Sequence, residues 1–262
     1  MVAGRDEARA PGGPEGSGGA APPHAPLLSY YAAPQARSRF VRDLFNRTAG
    51  SYDRINAAFA LGSGEWYRRR ALRRAGLQAE AKLLDVAVGT GLVAREAVGI
   101  LGGTQGVVGL DLSEGMLAEA RRSLGITLVQ ARAESLPFAD GSFDFISMGY
   151  ALRHVADLAQ LFAEFRRVLR PGGRVLVLEI APPASRFGQA MLKAYLGGVV
   201  PVLSRLAGGG SAQLMRYYWD TIEACVPPTE ILLRLREAGL AEVRCDTEIG
   251  VMRAYAARRP AE

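Results

Sequence analysis

Residues 84–91 read Leu84-Asp85-Val86-Ala87-Val88-Gly89-Thr90-Gly91, a short apolar strand that runs straight into a glycine turn. A helical stretch from Leu92 to Leu101 follows at once. Glycines let backbone approach a ligand closely, and the start of the next helix offers free N–H groups. The unit therefore reads as a nucleotide-binding corner. Asp111, at the end of a second strand over Gly106 to Leu112, stands where a carboxylate can accept both hydroxyls of a ribose. Taken alone, this corner leaves the cofactor open. Gly89-Thr90-Gly91-Leu92-Val93-Ala94 also fits the dinucleotide fingerprint, whose acidic residue lies about 20 positions on.

Outward from the corner, strand-like and helix-like segments alternate. A helix is expected over Ser113 to Leu124 with Ser113 as its N-cap. Strands are expected over Ile126 to Ala131, Phe143 to Met148 and Arg174 to Ile180. Between the last two, Leu158, Leu161, Phe162, Phe165 and Leu169 form one helical stripe within Val155 to Leu169. Arg170-Pro171-Gly172-Gly173 ends that helix and turns into the next strand. After a helix over Thr229 to Ala238, Glu242 to Thr247 and Val251 to Ala256 suggest a terminal hairpin around Gly250. This alternation predicts a mostly parallel sheet with helices on both faces and an antiparallel strand near its end.

The bulk properties fit one such domain. The chain has 262 residues, 49% hydrophobic and 22% charged, which is ordinary for a globular protein. Two cysteines, Cys225 and Cys245, suit a reducing cytosol and cannot make a cysteine-only zinc site. No metal is expected. Met1 to about Pro34 is rich in Gly, Ala and Pro, lacks hydrophobic periodicity and reads as a disordered tail rather than a targeting segment. On that reading His24 lies outside the fold and His154 is its one histidine. The net charge of +6 and the arginines Arg68, Arg69, Arg70, Arg73 and Arg74 read first as a solvated helix. An anionic membrane surface comes next and nucleic acid last, because no nucleic-acid motif accompanies the charge.

The segments around the corner narrow the cofactor. Ala133-Glu134-Ser135-Leu136-Pro137-Phe138 follows the third strand, Phe143-Asp144-Phe145-Ile146 forms the fourth, and Leu169-Arg170-Pro171-Gly172-Gly173 precedes the fifth. In order and spacing these resemble class I S-adenosylmethionine-dependent methyltransferases, a Rossmann-like α/β fold with a seven-stranded, mostly parallel sheet. Asp85, just before the turn, can then help hold the cationic amino group of methionine. Leu44-Phe45-Asn46-Arg47-Thr48-Ala49-Gly50-Ser51-Tyr52-Asp53-Arg54-Ile55-Asn56 and the stretch Gly62 to Arg69 go further. They are similar to the N-terminal signature of the ubiquinone/menaquinone biosynthesis C-methyltransferase family. Ala87 in place of the first glycine, Tyr150-Ala151-Leu152-Arg153-His154-Val155, and Tyr217 to Pro228 match the same family.

The resemblance implies roles. S-adenosylmethionine would be held by Asp85, Ala87, Gly89, Thr90 and Gly91, by Asp111 and Leu112, by Arg132 and Ala133 beside adenine, and by Gly149. Arg153 and Tyr52 would face a quinol, with Arg153 stabilising a developing phenolate and His154 accepting the proton. Four departures from the family pattern, Arg132 for a small polar residue, Gly149 for Ser, His154 for Asn and the loss of the Phe from the segment Tyr217 to Pro228, bear on the substrate more than on the chemistry. Arg132 is expected to swing outward and leave the adenine contact to backbone. The implied organisation is a tail over residues 1–36, a helical substrate or lid segment over 37–80, and the methyltransferase core over 81–262. A helical insertion lies at about 184–222. Phe187 to Leu206 is apolar on a broad face, suiting a lid over a greasy substrate tail, core packing or a homodimer contact. The expected location is cytoplasmic, with peripheral membrane contact. Competing readings are a methyltransferase of another small aromatic or polyketide-like metabolite, a non-catalytic S-adenosylmethionine-binding protein, and a dinucleotide oxidoreductase.

Overall fold

The computed structural model describes residues 21–60, 63–183, 185–199, 202 and 212–261. Seven strands form one sheet: β1 (Leu83–Val86), β2 (Val107–Asp111), β3 (Thr127–Gln130), β4 (Phe143–Gly149), β5 (Leu169–Ile180), β6 (Ala241–Glu248) and β7 (Met252–Arg258). Their order is β3-β2-β1-β4-β5-β7-β6. Every pair is parallel except that β7 runs antiparallel to both β5 and β6. The hairpin therefore inserts its second strand into the sheet and leaves β6 at the edge. Eight α-helices accompany the sheet in the described residues: α1 (Arg37–Ala60), α2 (Ser63–Arg74), α3 (Leu92–Leu101), α4 (Glu114–Ser123), α5 (Leu158–Val168), α6 (Arg186–Ala194), α7 (Ala212–Ala224) and α8 (Pro228–Glu237).

Strand side chains alternate between faces, and a parallel sheet buries both. Leu84, Val86, Ile146, Met148, Val175 and Val177 point to one side, against Phe162 and Phe165 of α5 and Ile231 of α8. Leu83, Phe145, Leu176 and Leu178 point to the other, against Tyr67 and Leu72 of α2 and Val93 of α3. A third cluster, Leu44 with Leu214, Tyr217, Tyr218 and Ile222, joins α1 to α7. Strand order reverses between β1 and β4, and such a switch point opens a crevice beyond the carboxyl ends of the strands. All the candidate site residues named from the sequence except Gly91 border cavities in this region.

Several boundaries differ from expectation. Residues 1–20 of the expected tail lie outside the described residues, but 21–36 are packed rather than disordered. The Leu158 amide donates to the Ala21 carbonyl and the Val226 amide to the Pro23 carbonyl. His24 and Tyr31 are buried. Backbone pairing and aromatic anchors tie down a segment whose composition reads as loose. His24 therefore belongs to the fold, which contains two histidines. Helix α5 starts at Leu158 because Asp157 caps it, accepting from the Ala159 and Gln160 amides. The preceding residues Leu152–His154 form a separate 3-10 turn. Arg170 to Gly173 lie within β5, where the pairing with β4 shifts register. Ser113 caps α4 as read from the sequence, accepting from the Met116 amide. Within the expected insertion, 184, 200, 201 and 203–211 lie outside the described residues.

Candidate active site

At the corner between β1 and α3 the chain adopts left-handed backbone at Ala87, Gly89 and Gly91, with φ of 54°, 57° and 91°. A side chain at such φ is strained by about 1–2 kcal/mol, so Ala87 is a built-in distortion. The two glycines do different things. Nothing lies within 4 Å of where a Cβ on Gly89 would stand, so its side faces open cavity. A Cβ on Gly91 would collide with the Leu124 side chain. Gly91 permits the packing of α3 against α4 and is absent from the cavity lining.

Asp111 ends β2 and organises the corner. Its Oδ2 accepts from the Gly89 amide and its Oδ1 from the Ser113 amide, both at 2.8 Å. Burial raises its pKa, while these N–H groups and that of Leu112 pull it down. Each oxygen keeps a lone pair for a hydroxyl. Asp85, on the central strand, is 1% exposed. It lies opposite Ser147 in the β1–β4 register, and Ser147 Oγ donates to its Oδ1 at 2.7 Å. Its Oδ2 is buried without a partner, and burial pushes its pKa up to about 7. Ala87, Gly89 and Thr90 line the same cavity as Asp85. The Thr90 hydroxyl donates to Asp53 Oδ1 of α1 at 2.5 Å, so the corner is tied to the N-terminal helix.

The adjoining cleft is lined by Asp111, Leu112, Arg132, Ala133, Gly149 and Phe45. Arg132 turns toward solvent as expected: half its side chain is exposed, and Nε lies 3.7 Å from Glu134 Oε2. Gly149 is also explained, since a Cβ there would stand 2.6 Å from Val93 Cγ2. Serine at this position would require the side chain of Val93 to move.

A second cavity has Tyr52, Tyr150, Arg153, Tyr218, Ile222 and Met252 among its walls and adjoins the first. Tyr52 and Tyr150 line both. Tyr218 donates its hydroxyl to Tyr52 at 2.7 Å, which leaves the Tyr52 proton free to donate. Arg153 is 1% exposed. It donates from Nη1 to Glu179 Oε2 at 2.5 Å and from Nε to Thr221 Oγ1 at 3.2 Å. Its guanidinium lies 5.0 Å from the centre of the Tyr218 ring. Burial opposes its charge, but Glu179 and neighbouring groups more than offset this and raise its pKa. Glu179 Oε1 has no partner.

His154 lies in the wall of the first cleft. Its ring stacks on Tyr217 and Tyr218 and meets Phe45 edge-on. Both ring nitrogens are buried without a hydrogen-bond partner. Burial, followed by the charges of Arg153 and Arg37, pushes its pKa well down and keeps it neutral. Behind it, Arg37 donates to the Arg153 carbonyl at 2.6 Å and contacts His24 Nε2 at 2.5 Å.

All the residues named from the sequence except Gly91 border these cavities, whose walls also include residues that the sequence does not single out. Tyr150 has φ 59° and borders both cavities and the Asp85 cavity. Its place after the fourth strand was the available signal. Glu134, buried and accepting from the Ala156 amide at 2.6 Å, and Arg68 of α2 carried no local mark. The basic helix is less free than its composition implies. Arg69 pairs with Glu96, Arg70 with Glu248, and Arg74 with Asp246 and Glu248. Among the described residues no group of acidic, cysteine or histidine side chains could hold a metal ion.

The 3-2-1-4-5-7-6 sheet with this corner at its switch point defines a class I S-adenosylmethionine-dependent methyltransferase. The profile of the ubiE/COQ5 methyltransferase family matches residues 33–257, and the chain belongs to that family. It is 33% identical to the ubiquinone/menaquinone biosynthesis C-methyltransferase UbiE of Hahella chejuensis, over 76% of this chain and 83% of that one. It is 32% identical to the demethylmenaquinone methyltransferase of Symbiobacterium thermophilum, over 80% and 88%. Among solved structures, a methyltransferase from Thermotoga maritima aligns with TM-score 0.61 at 20% identity, over 83% of this chain and 99% of that one. Phosphoethanolamine N-methyltransferase 2 of Haemonchus contortus, in complex with S-adenosyl-L-methionine, aligns with TM-score 0.61 at 18% identity, over 84% and 60%. The residues fit the cofactor: the free carboxylate oxygen of Asp85 suits an ammonium, and the open side of Gly89 gives it room.

Proposed function

We propose that the chain methylates a ring carbon of a quinol in ubiquinone or menaquinone biosynthesis, the reaction named for its relatives. The observation that carries this reading is a pair of adjoining cavities that share Tyr52 and Tyr150 in their walls. One is bordered by Asp111, and its neighbour is aromatic and holds an arginine. In this reading Asp85 and Thr90 hold the methionine end of the cofactor and Asp111 the ribose. Leu112, Ala133 and the backbone of Arg132 border the adenine, and Gly149 leaves space.

The cofactor supplies an electrophilic methyl group, and the protein has to present an electron-rich carbon in line with it. A quinol carbon becomes nucleophilic as the neighbouring hydroxyl gives up its proton. Arg153 stabilises the resulting negative charge, since a guanidinium keeps its charge and is held here by Glu179. Burial holds His154 neutral, so, contrary to the expectation from the sequence, it does not take the proton. An unpartnered ring nitrogen accepts a hydrogen bond from the hydroxyl, and the proton leaves to solvent. Tyr52 donates its free proton to the second quinol oxygen. The exposed residues Phe187, Met191, Val199 and Val202 offer an apolar face for the substrate's hydrocarbon tail and for contact with a lipid surface. No helix among the described residues is long and apolar enough to cross a membrane.

Incubation of the purified chain with S-adenosylmethionine and demethylmenaquinol, followed by mass spectrometry, tests the proposal. The expected product gains one methyl group on carbon. Arg153→Ala and His154→Ala lower turnover, and wild-type rates in both would end the assignment of these residues. Flotation with liposomes tests the lipid contact.

A further inference from the structure

Helix α2 carries five arginines, and only one of them faces inward. Tyr67, Arg68, Ala71 and Leu72 lie on its buried stripe, the i, i+1, i+4, i+5 spacing of one helical face. Arg69, Arg70 and Arg74 turn outward to carboxylates. Arg68 is 8% exposed. Its Nε is buried without a hydrogen-bond partner, and it forms no ion pair with any described residue. An unpaired buried charge is strongly destabilising, so a fold that holds one there is shaped for an anion.

Arg68 borders the cavity that also contains Asp85, Gly89 and Thr90. The residues around that cavity therefore include two buried polar atoms without a partner on groups of opposite sign, Nε of Arg68 and Oδ2 of Asp85. The ligand matching this pair is a zwitterion with an ammonium and a carboxylate on the same carbon, which describes the amino-acid end of the methyl donor. We propose that Arg68 holds the methionine carboxylate of S-adenosylmethionine while Asp85 holds its ammonium. The planar guanidinium fork matches a carboxylate in geometry as well as charge. Arg68 also borders the second cavity, but there the cationic role is filled by Arg153, already held by Glu179.

Calorimetry on the full chain separates the contribution of the carboxylate from the rest of the cofactor. The ligands are S-adenosylhomocysteine, its decarboxylated analogue, and 5′-methylthioadenosine, which lacks the amino-acid end. Wild type is expected to bind S-adenosylhomocysteine at least about tenfold more tightly than the decarboxylated form. Arg68→Gln abolishes that preference and leaves the affinity for 5′-methylthioadenosine unchanged. Arg68→Lys, which keeps the charge and tolerates the same site, restores part of the preference. An undiminished preference in Arg68→Gln overturns the proposal, as does an equal loss for all three ligands or a change confined to the KM of the acceptor. If the variants fail to fold, equal wild-type affinity for S-adenosylhomocysteine and its decarboxylated form overturns it alone. The proposal rests on the cofactor assignment, which fails separately if wild type binds none of the three.

Discussion

Asp85 and Asp111 lie on sheet strands, held by a cross-strand serine and by two loop amides. Arg153, His154 and Tyr52 lie at the end of β4 and along α1, held among side chains of α1, α7 and the end of β5. On the proposed assignment, the cofactor side is thus fixed mostly by backbone geometry, and the acceptor side by interlocked aromatic rings and one buried ion pair. Backbone corners tolerate changes in neighbouring side chains; a packed polar cluster does not, because each member satisfies another. This chain's departures from the family pattern that touch the acceptor side, notably His154, lie in that less tolerant cluster.

The sharpest way to break the contrast is to remove one member of the ion pair. Arg153→Met strands the buried Glu179 carboxylate, and losing one partner of a buried pair costs about 3–5 kcal/mol. Denaturant unfolding should show that loss, together with abolished turnover. The double variant Arg153→Met, Glu179→Leu should regain most of the stability and none of the activity. Equal stability of the single and double variants would show that the pair is not coupled. Asp111→Ala, on the cofactor side, should weaken S-adenosylhomocysteine by about 100-fold in calorimetry, since charge-assisted hydrogen bonds contribute roughly 1.5–3 kcal/mol each. It should leave the unfolding midpoint far closer to wild type than Arg153→Met does.

A pH series distinguishes the two sides further. Burial raises the Asp85 pKa from 3.8 to about 7, so the folded state binds this proton more tightly than the unfolded chain. The free protein therefore loses stability as pH rises from about 4 to about 7, and the penalty is complete above that. Cofactor binding has the opposite dependence, because the ammonium needs the carboxylate. Below about pH 7 affinity should fall by up to tenfold per unit as the proton competes. Asp85→Asn should flatten both curves, melting higher than wild type at pH 8 while binding S-adenosylhomocysteine poorly. A wild-type affinity that is constant from pH 5.5 to 8 would contradict this role for Asp85.

The same contrast explains what could be read from the chain alone. Glycines, a strand-end Asp111 and a capping Ser113 follow local rules, so the corner, the strand order class and most of the lining were legible. Arg68 was not, because it is one of five arginines and only the packing of α2 against the sheet selects which one turns in. The order of residues 21–36 was hidden for a similar reason. His24 is held by Arg37, Tyr31 by the Leu27 amide and the Phe40 ring, and the segment pairs with Leu158 and Val226, distant in sequence; composition carries no trace of these contacts. Gly91 was misread in role rather than in place. Its left-handed φ is needed, but Leu124 rather than the ligand occupies the space beside it.

The smallest expected effect lies at the joint between the two sides. Ser113 accepts from the Met116 amide as the cap of α4, and its hydroxyl donates to Asn46 Oδ1 of α1 at 2.6 Å. Asn46 Oδ1 also accepts from the Gly115 amide at 3.0 Å, so one side chain pins the acceptor-side helix onto the cofactor-side helix. Ser113→Ala removes the cap and one of the two bonds of the tether, and cap loss alone costs about 1 kcal/mol. Asn46→Ala keeps the cap and removes the tether. If α1 docking couples the two cavities, Asn46→Ala should change acceptor KM more than cofactor affinity, despite leaving stability within about 1 kcal/mol of wild type. Equal small losses on both ligands would instead show that the joint is only a helix cap.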